Sequence, residues 1–90
     1  AASDVYKRQT LHRLVDGAVE ALEFSVGRNL PYLGVPLKDL PLKSGILLAG
    51  IVRRNGRIVI PSGADVLEPM DDVIVVTTDT SLQGLHDIFQ

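Results

Sequence analysis

Three arginines crowd one predicted turn of the chain. Arg53 and Arg54 precede the pair Asn55-Gly56, and Arg57 follows it, within the stretch IVRRNGRIVIP. A planar guanidinium binds carboxylate or phosphate through two parallel hydrogen bonds. Neighbouring residues on a strand point to opposite faces, so only one of Arg53 and Arg54 can join Arg57 on a given side. These arginines could bind an anion at the turn, or they could be merely solvated, and the sequence leaves both interpretations open.

The same stretch suggests which residues an anion would contact. If two copies of the hairpin meet across a dimer axis, their arginines repel each other unless an anion or an acidic side chain neutralises them. We therefore predict that ligand binding uses Arg53 or Arg54 together with the segment Ile60-Pro61.

Acidic residues precede the last predicted strand and permit two interpretations. Glu68, Asp71 and Asp72 lie close together and could bind a hard cation such as Ca²⁺ through oxygen. They lack the spacing of an EF-hand loop, which favours a solvated acidic turn. Asp65 or Asp71 could instead pair with one of the turn arginines. We predict no metal site.

The residues give little support to catalysis. His12 and His86 are the only histidines, and His86 and Asp87 would point in different directions on a helix. No nucleophile, zinc or phosphate-loop motif is present, and the eight glycines never form the G-x-G-x-x-G spacing of a dinucleotide site. We predict no catalytic residues and no cofactor in this chain. A small enzyme using His86 or the acidic loop 68–72 is the alternative.

Composition sets the remaining limits. The 90 residues suffice for one domain. A net charge of −2 argues against nucleic acid as a partner. The absence of cysteine excludes a disulfide framework. No apolar segment approaches the roughly 20 residues of a membrane helix.

Apolar patterning predicts an α+β fold, a small, mainly antiparallel sheet. Asp16-Gly17 and Asn55-Gly56 each mark a hairpin, the second of type I′. Pro36 begins a short helical turn that Pro41 ends. Leu82, Leu85 and Phe89 predict a helix from about Ser81 to the C-terminus. The strands are expected at 10–15, 18–26, 46–52, 57–60 and 73–78; a helix is the alternative for 18–26. Residues 1–9 read as a leader, linker or cloning remnant, and 10–90 as the domain.

The strands ILLAGIV and VIVV are apolar without interruption, which is typical of strands covered on both faces. The predicted helices are enough to cover only one face of the sheet. We therefore expect a homodimer, with Ile46, Leu48 and Ile51 at its interface. A monomer with some exposed apolar residues is the alternative.

Several segments together resemble the C-terminal domain of the regulators of K⁺ conductance, the TrkA-C family. They are DGAVEALEFSV, the stretch from GVPLKDLPLKSG to DDVIVV, and the C-terminal segment. The resemblance covers about residues 11–90. It follows Gly34, Leu37 and Leu40, an apolar strand ending at Arg53, then Pro61, Gly63, Leu67 and Asp71. Met70 stands where the family usually has glycine.

The resemblance implies a regulatory, non-catalytic module that controls monovalent cation transport. Its expected partners are a second copy, a nucleotide-binding N-terminal domain and a membrane-embedded potassium transporter subunit. Its expected place is the cytoplasm, at the inner face of the membrane through the transporter. Some members bind a small effector, an anion or a divalent cation, between two such domains; which effector suits this chain is not inherited from the fold. An assembly module without a ligand is the alternative.

Overall fold

The computed structural model describes residues 8–90, which form one five-stranded sheet and two short 3-10 turns. The strands are β1 (Arg8–Leu14), β2 (Val19–Ser25), β3 (Ile46–Val52), β4 (Ile58–Val59) and β5 (Asp72–Thr77). The 3-10 turns are Leu37–Asp39 and Leu85–Ile88. The predicted strands are thus present, and residues 18–26 are not helical. No helix within residues 8–90 is long and apolar enough to cross a membrane.

The sheet has the order β1-β2-β5-β3-β4, and every neighbouring pair is antiparallel. β5 is therefore the central strand, although it is the last in the chain. A register shift between Leu48 and Gly50 interrupts the alternation of β3. Leu48 and Ile51 consequently point to the same face of the sheet, opposite Val75 and Val73 of β5.

Both predicted hairpins form, but neither has a two-residue type I′ turn. Between β1 and β2 the chain turns through four residues, with Val15, Asp16 and Gly17 at positive φ. In the second hairpin, the N–H of Arg53 donates to the carbonyl of Arg57 at 2.7 Å. Of the central residues there, only Gly56 has positive φ, because three residues separate the paired ends.

One face of the sheet is covered by the connecting segments and the C-terminal residues, and the hydrophobic core lies there. Alternate residues of β2 and β5 supply its floor, as the period of two requires. We call this the covered face and the opposite one the open face. The buried apolar residues are Leu22, Phe24, Val26, Leu30, Leu40, Ile51, Leu67, Val73, Val75, Leu82, Leu85, Ile88 and Phe89.

The prediction of a C-terminal helix is wrong. Only Leu85–Ile88 form a 3-10 turn, and Phe89 then makes an isolated bridge to Leu42. The Asp87 carboxylate accepts hydrogen bonds from the N–H groups of Gln83 at 2.9 Å and Gly84 at 3.2 Å. These contacts bind the preceding backbone in a compact loop. The apolar residues expected on the helix are nevertheless buried in the core.

The buried carboxylate of Glu20 contacts two arginines of edge strand β1. Glu20 of β2 is 4% exposed, and its Oε2 accepts a hydrogen bond from Nε of Arg13 at 3.1 Å. Nη2 of Arg8 lies 3.9 Å from the other carboxylate oxygen, and Nε of Arg8 donates to the carbonyl of Leu82 at 2.9 Å. β1 is exposed at most of its positions, so these two arginines add side-chain contacts to its backbone pairing with β2. Of the expected leader, Arg8 and Gln9 belong to β1, and residues 1–7 lie outside the described residues.

Candidate functional site

The candidate site lies at the end of the sheet where β2 and β3 finish and the neighbouring β5 begins. β2 and β3 both run antiparallel to β5, and therefore parallel to each other. Asp72 at the start of β5 pairs with Ser25 at the end of β2 and with Val52 at the end of β3. The residues that follow β2 and β3 thus lie on either side of the loop that leads into β5.

A buried ion pair forms the base of this site. Nη1 of Arg53 lies 2.6 Å from Oδ2 of Asp71, and it also donates to the carbonyl of Val66 at 2.9 Å. Oδ2 of Asp71 accepts a second hydrogen bond from the N–H of Glu68 at 3.0 Å. Asp71 is 1% exposed. The pairing of a turn arginine with Asp71, one of the two acidic partners suggested by the sequence, is confirmed.

An open cleft of about 870 Å³ lies around this ion pair, and arginine is its most frequent lining residue. Arg54 and Arg57 come from the hairpin tip, and Arg28 comes from the loop after β2. All three side chains are exposed, and none of them forms an ion pair with another described residue. The described residues that line the cleft are Arg28, Arg53, Arg54, Asn55, Arg57, Glu68, Pro69, Met70 and Asp71. We call it the arginine cleft.

The arginine cleft is suited to an anion. Three exposed guanidinium groups present hydrogen-bond donors in a planar fork that matches carboxylate and phosphate. Arg53 is already neutralised by Asp71, so it acts mainly as a support for the hairpin. Glu68 is the one exposed carboxylate in the lining, and it lowers the positive charge. A bound anion would also relieve the repulsion among the exposed arginines.

The four residues predicted to bind a ligand do not all line the same described groove. Arg53 and Arg54 line the arginine cleft. Pro61 lines a different, apolar groove of about 240 Å³ together with Leu37. Ile60 is 80% exposed and is absent from the lining of both. A single site for all four residues stays a prediction, since it was expected where two copies of the hairpin meet.

The predicted dimer residues lie on the covered face. Ile51 is fully buried in the core, so its side chain has no surface to offer to a partner. Ile46 and Leu48 are half-buried and pack against the same core. The exposed apolar residue of β3 is Leu47, at 61%, which points to the open face opposite Val76. The expectation of a dimer stays a prediction, and within the described residues the most exposed apolar side chain of β3 is on the face opposite the three predicted ones.

The other chemically active residues do not assemble. Asp71 and Asp72 point to opposite faces, since Asp71 is buried against Arg53 whereas Asp72 accepts a hydrogen bond from Ser25 Oγ at 3.1 Å. His86 and Asp87 do meet, contrary to the expectation that they would point apart, with 3.2 Å between Nε2 and Oδ1 on the last 3-10 turn. His12 lies apart from them on edge strand β1. Within residues 8–90, no group of three or more His, Asp or Glu could hold a metal ion. The cation interpretation of residues 68–72 is not supported.

Sequence reasoning did not assign Arg28 and Met70 to the site. Arg28 lies 25 positions before Arg53, and the two come to the same end of the sheet only because β2 and β3 run parallel. Met70 has a φ of 76° and is 61% exposed. The sequence did offer one signal for Met70, because it stands at a position where the family that the sequence resembles usually has glycine.

Comparisons with known proteins identify the family. A family model described as the TrkA-C domain matches residues 21–90. The chain is 31% identical over 80 residues to the Trk system potassium uptake protein TrkA of Azorhizobium caulinodans, covering 89% of this chain and 17% of that protein. It is 30% identical over 71 residues to a TrkA homolog of Pyrococcus abyssi, covering 79% of this chain and 31% of that protein. A TrkA homolog of Methanosarcina mazei is 27% identical over 74 residues, which covers 82% of this chain and 18% of that protein. The chain thus spans less than a third of each of these relatives, and it belongs to the TrkA-C domain family.

Proposed function

We propose that this chain is a regulatory domain of a potassium uptake system, and that it responds to an anionic effector bound in the arginine cleft. The names of the relatives refer to potassium uptake, which supports the transport context. The observation that carries effector binding is the meeting, at one end of the sheet, of three exposed arginines that have no ion-pair partner among the described residues. The domain is expected to act beside a nucleotide-binding domain and a membrane transporter subunit, on the cytoplasmic side.

The support for an anionic effector is both electrostatic and geometric. The chain as a whole carries a net charge of −2, so a cluster of arginines is a local departure from its overall charge. Arg53 is fixed by Asp71 and Val66, which holds the hairpin tip in place before any ligand binds. Preorganised charged donors lose less conformational entropy on binding than mobile ones. Regulation then requires that the bound and free domain favour different assemblies of the larger protein.

Titration of inorganic phosphate into the isotope-labelled chain, followed by NMR, tests effector binding. We expect the amide signals of residues 53–57 and 68–71 to shift, and the double variant Arg54→Ala, Arg57→Ala to weaken binding at least about tenfold, because two charge-assisted contacts are lost. Lys43→Ala is the matched control, since it removes one exposed positive charge outside the cleft. Shifts that map elsewhere, or equal affinities for the double variant and the control, would refute the site.

The same substitutions test the transport context in cells. When placed in the gene that encodes this chain, Arg54→Ala and Arg57→Ala should change the rate or the regulation of potassium uptake, measured with rubidium as tracer. Lys43→Ala should leave uptake unchanged. If uptake in the double variant equals wild type while phosphate binding is lost in vitro, the cleft has no part in controlling transport.

We also propose that the domain dimerises through the open face of the sheet. Leu47 is 61% exposed and Ile58 is 69% exposed, and their strand partners Val76 and Val52 place both on this face beside the half-buried Ile74. Apolar residues on adjacent strands would pack well against a second sheet. Cyclic dimers are also the commonest soluble assemblies. Sedimentation over a range of concentrations measures this association directly.

A further inference from the structure

The arginine cleft has two walls that come from different strands. Arg28 follows β2, whereas Arg54 and Arg57 follow β3. β5 lies between these strands, so two interstrand spacings, roughly 10 Å, separate the backbones of the two walls. A single phosphate or carboxylate bound at one wall leaves the positive charge of the other wall without an anion.

The floor between the walls is held to both of them. The N–H of Met70 donates to the carbonyl of Val26 at 3.1 Å, and the N–H of Val26 donates to the carbonyl of Asp71 at 2.8 Å. On the other side, the Asp71 carboxylate holds Arg53. The loop 68–71 therefore connects the end of β2 to the hairpin and fixes the spacing of the two walls.

The exposed part of this floor is apolar. Pro69 and Met70 both line the cleft, and Met70 is 61% exposed. Its φ of 76° lies in the left-handed region, which residues with a Cβ seldom adopt. Strained positions of this kind cluster at ligand-binding sites. A methionine thioether adapts to varied apolar surfaces, so it suits contact with the middle of a ligand.

We propose that the arginine cleft selects a small molecule that carries an anionic group at each end of an apolar segment. One anionic group binds Arg28, the other binds Arg54 and Arg57, and the apolar segment contacts Met70. This inference rests on the proposed anion binding of the same cleft and adds the class of ligand. Glu68 sets the selectivity further, because its carboxylate disfavours additional negative charge near the middle of the ligand.

Binding of alkane bisphosphates to the full chain, measured by isothermal titration, tests the proposal. The spacer is lengthened stepwise from ethylene to octamethylene, with the alkyl monophosphate of equal carbon number as the reference for each. We expect one spacer length to bind at least about tenfold tighter than its monophosphate, because the second contact becomes intramolecular. Dicarboxylates of matched spacer length, tested in parallel, determine whether phosphate or carboxylate ends are preferred.

Two variants separate the walls from the floor. Arg28→Ala should lower the affinity for the best bisphosphate to that of the monophosphate and leave inorganic phosphate binding unchanged. Met70→Gly, which removes the side chain at a backbone conformation that glycine adopts readily, should weaken the bisphosphate but not inorganic phosphate. Equal binding of bisphosphate and monophosphate at every spacer, with phosphate still bound, would overturn this inference and leave the proposed function standing. Loss of phosphate binding itself would overturn both.

Discussion

Arg53 and Asp71 form the shortest ion pair among the described residues, with 2.6 Å between Nη1 and Oδ2. The pair joins the β3–β4 hairpin to the loop that enters β5, and the Asp71 carboxylate also receives the N–H of Glu68. The buried carboxylate is satisfied by its charged partner and the backbone donor. If either Arg53 or Asp71 were removed, the other would keep a buried charge without its partner.

Asp71→Ala should therefore destabilise the domain severely. Removing one partner of a buried ion pair costs about 3 to 5 kcal/mol, and we expect the lower part of that range because 20% of the Arg53 side chain reaches solvent. Urea unfolding followed by circular dichroism measures the loss. Asp39→Ala, at an exposed position, should change stability by no more than about 0.5 kcal/mol. Similar losses in the two variants would mean that the ion pair contributes nothing specific.

Gly45→Ala should cost more than an ordinary glycine substitution. Gly45 has a φ of 78°, and a Cβ at this position would overlap the hydroxyl of Thr78. The left-handed conformation alone costs a residue with a Cβ about 1 to 2 kcal/mol, and the overlap adds about 1 to 3 kcal/mol. Gly17→Ala is the control, because Gly17 also has positive φ but its Cβ would meet no atom within 4 Å. A Gly45→Ala midpoint in urea equal to that of Gly17→Ala would contradict the overlap.

The Asp87 carboxylate makes stability fall in acid. Burial raises the pKa of Asp87, but hydrogen bonds from the Gln83 and Gly84 backbone, together with the charges of His86 and Lys43, more than offset this effect and lower it below its ordinary value. A carboxyl with a lowered folded-state pKa contributes stability that is complete above its unfolded pKa, about 3.9. That contribution disappears as pH falls through the folded-state pKa.

Asp87→Asn should consequently flatten the pH dependence of the unfolding free energy below about pH 4, because the substituted side chain no longer titrates. Thermal unfolding at a series of pH values measures this pH dependence in the wild type and in the variant. Asp16→Asn is the control, since Asp16 lies in an exposed turn. If wild type and Asp87→Asn lose stability in parallel on acidification, the carboxylate makes no such contribution.

Glu20→Gln should loosen edge strand β1 selectively. Glu20 carries the charge that attracts Arg13 and Arg8, and the amide keeps its shape without that charge. Amide hydrogen exchange should accelerate in β1, which among the described strands pairs only with β2, and stay unchanged where β5 pairs with β3. Glu23→Gln, on the open face of the same strand, is the control. A uniform acceleration over the whole sheet would show global destabilisation instead.

Leu47→Asp should prevent the proposed dimer. A charge placed at an exposed position of the open face would be buried without a partner on association, whereas it costs the monomer little. Val15→Asp adds the same charge at a turn residue that is 73% exposed and should leave association unchanged. The measurement is the sedimentation equilibrium dissociation constant. Dimers of equal strength in both variants would exclude the open face as the interface.

The strands were predictable because their signals are local. An uninterrupted apolar run predicted β3, a β-branched run predicted β5, and the two glycine-containing pairs located both hairpins. The choice between faces was not predictable, because uninterrupted apolar strands do not reveal which side faces the core. The register shift beside Gly50 then places Ile51 on the same side as Leu48, which no periodic pattern anticipates.

The candidate site was predictable only in part, because only some of its residues are neighbours in sequence. Clustering at a turn drew attention to Arg53, Arg54 and Arg57, which are neighbours in sequence. Arg28 joins them only through strand order, and strand order depends on the whole fold. The prediction of a C-terminal helix failed because the spacing of Leu82, Leu85 and Phe89 indicates only that they are buried. The local shape is determined by the hydrogen bonds that the preceding backbone N–H groups donate to Asp87.

The central position of β5 has a consequence for how the chain is made. Translation completes both hairpins before residues 72–77 exist, yet only these residues join β2 to β3. Until they leave the ribosome, β2 and β3 each present a row of unpaired backbone groups on the side that β5 will occupy, and such edges promote aggregation. The nascent domain therefore depends on its final strand for protection, and a chain that stops before Asp72 would lack the strand that pairs both hairpins into one sheet.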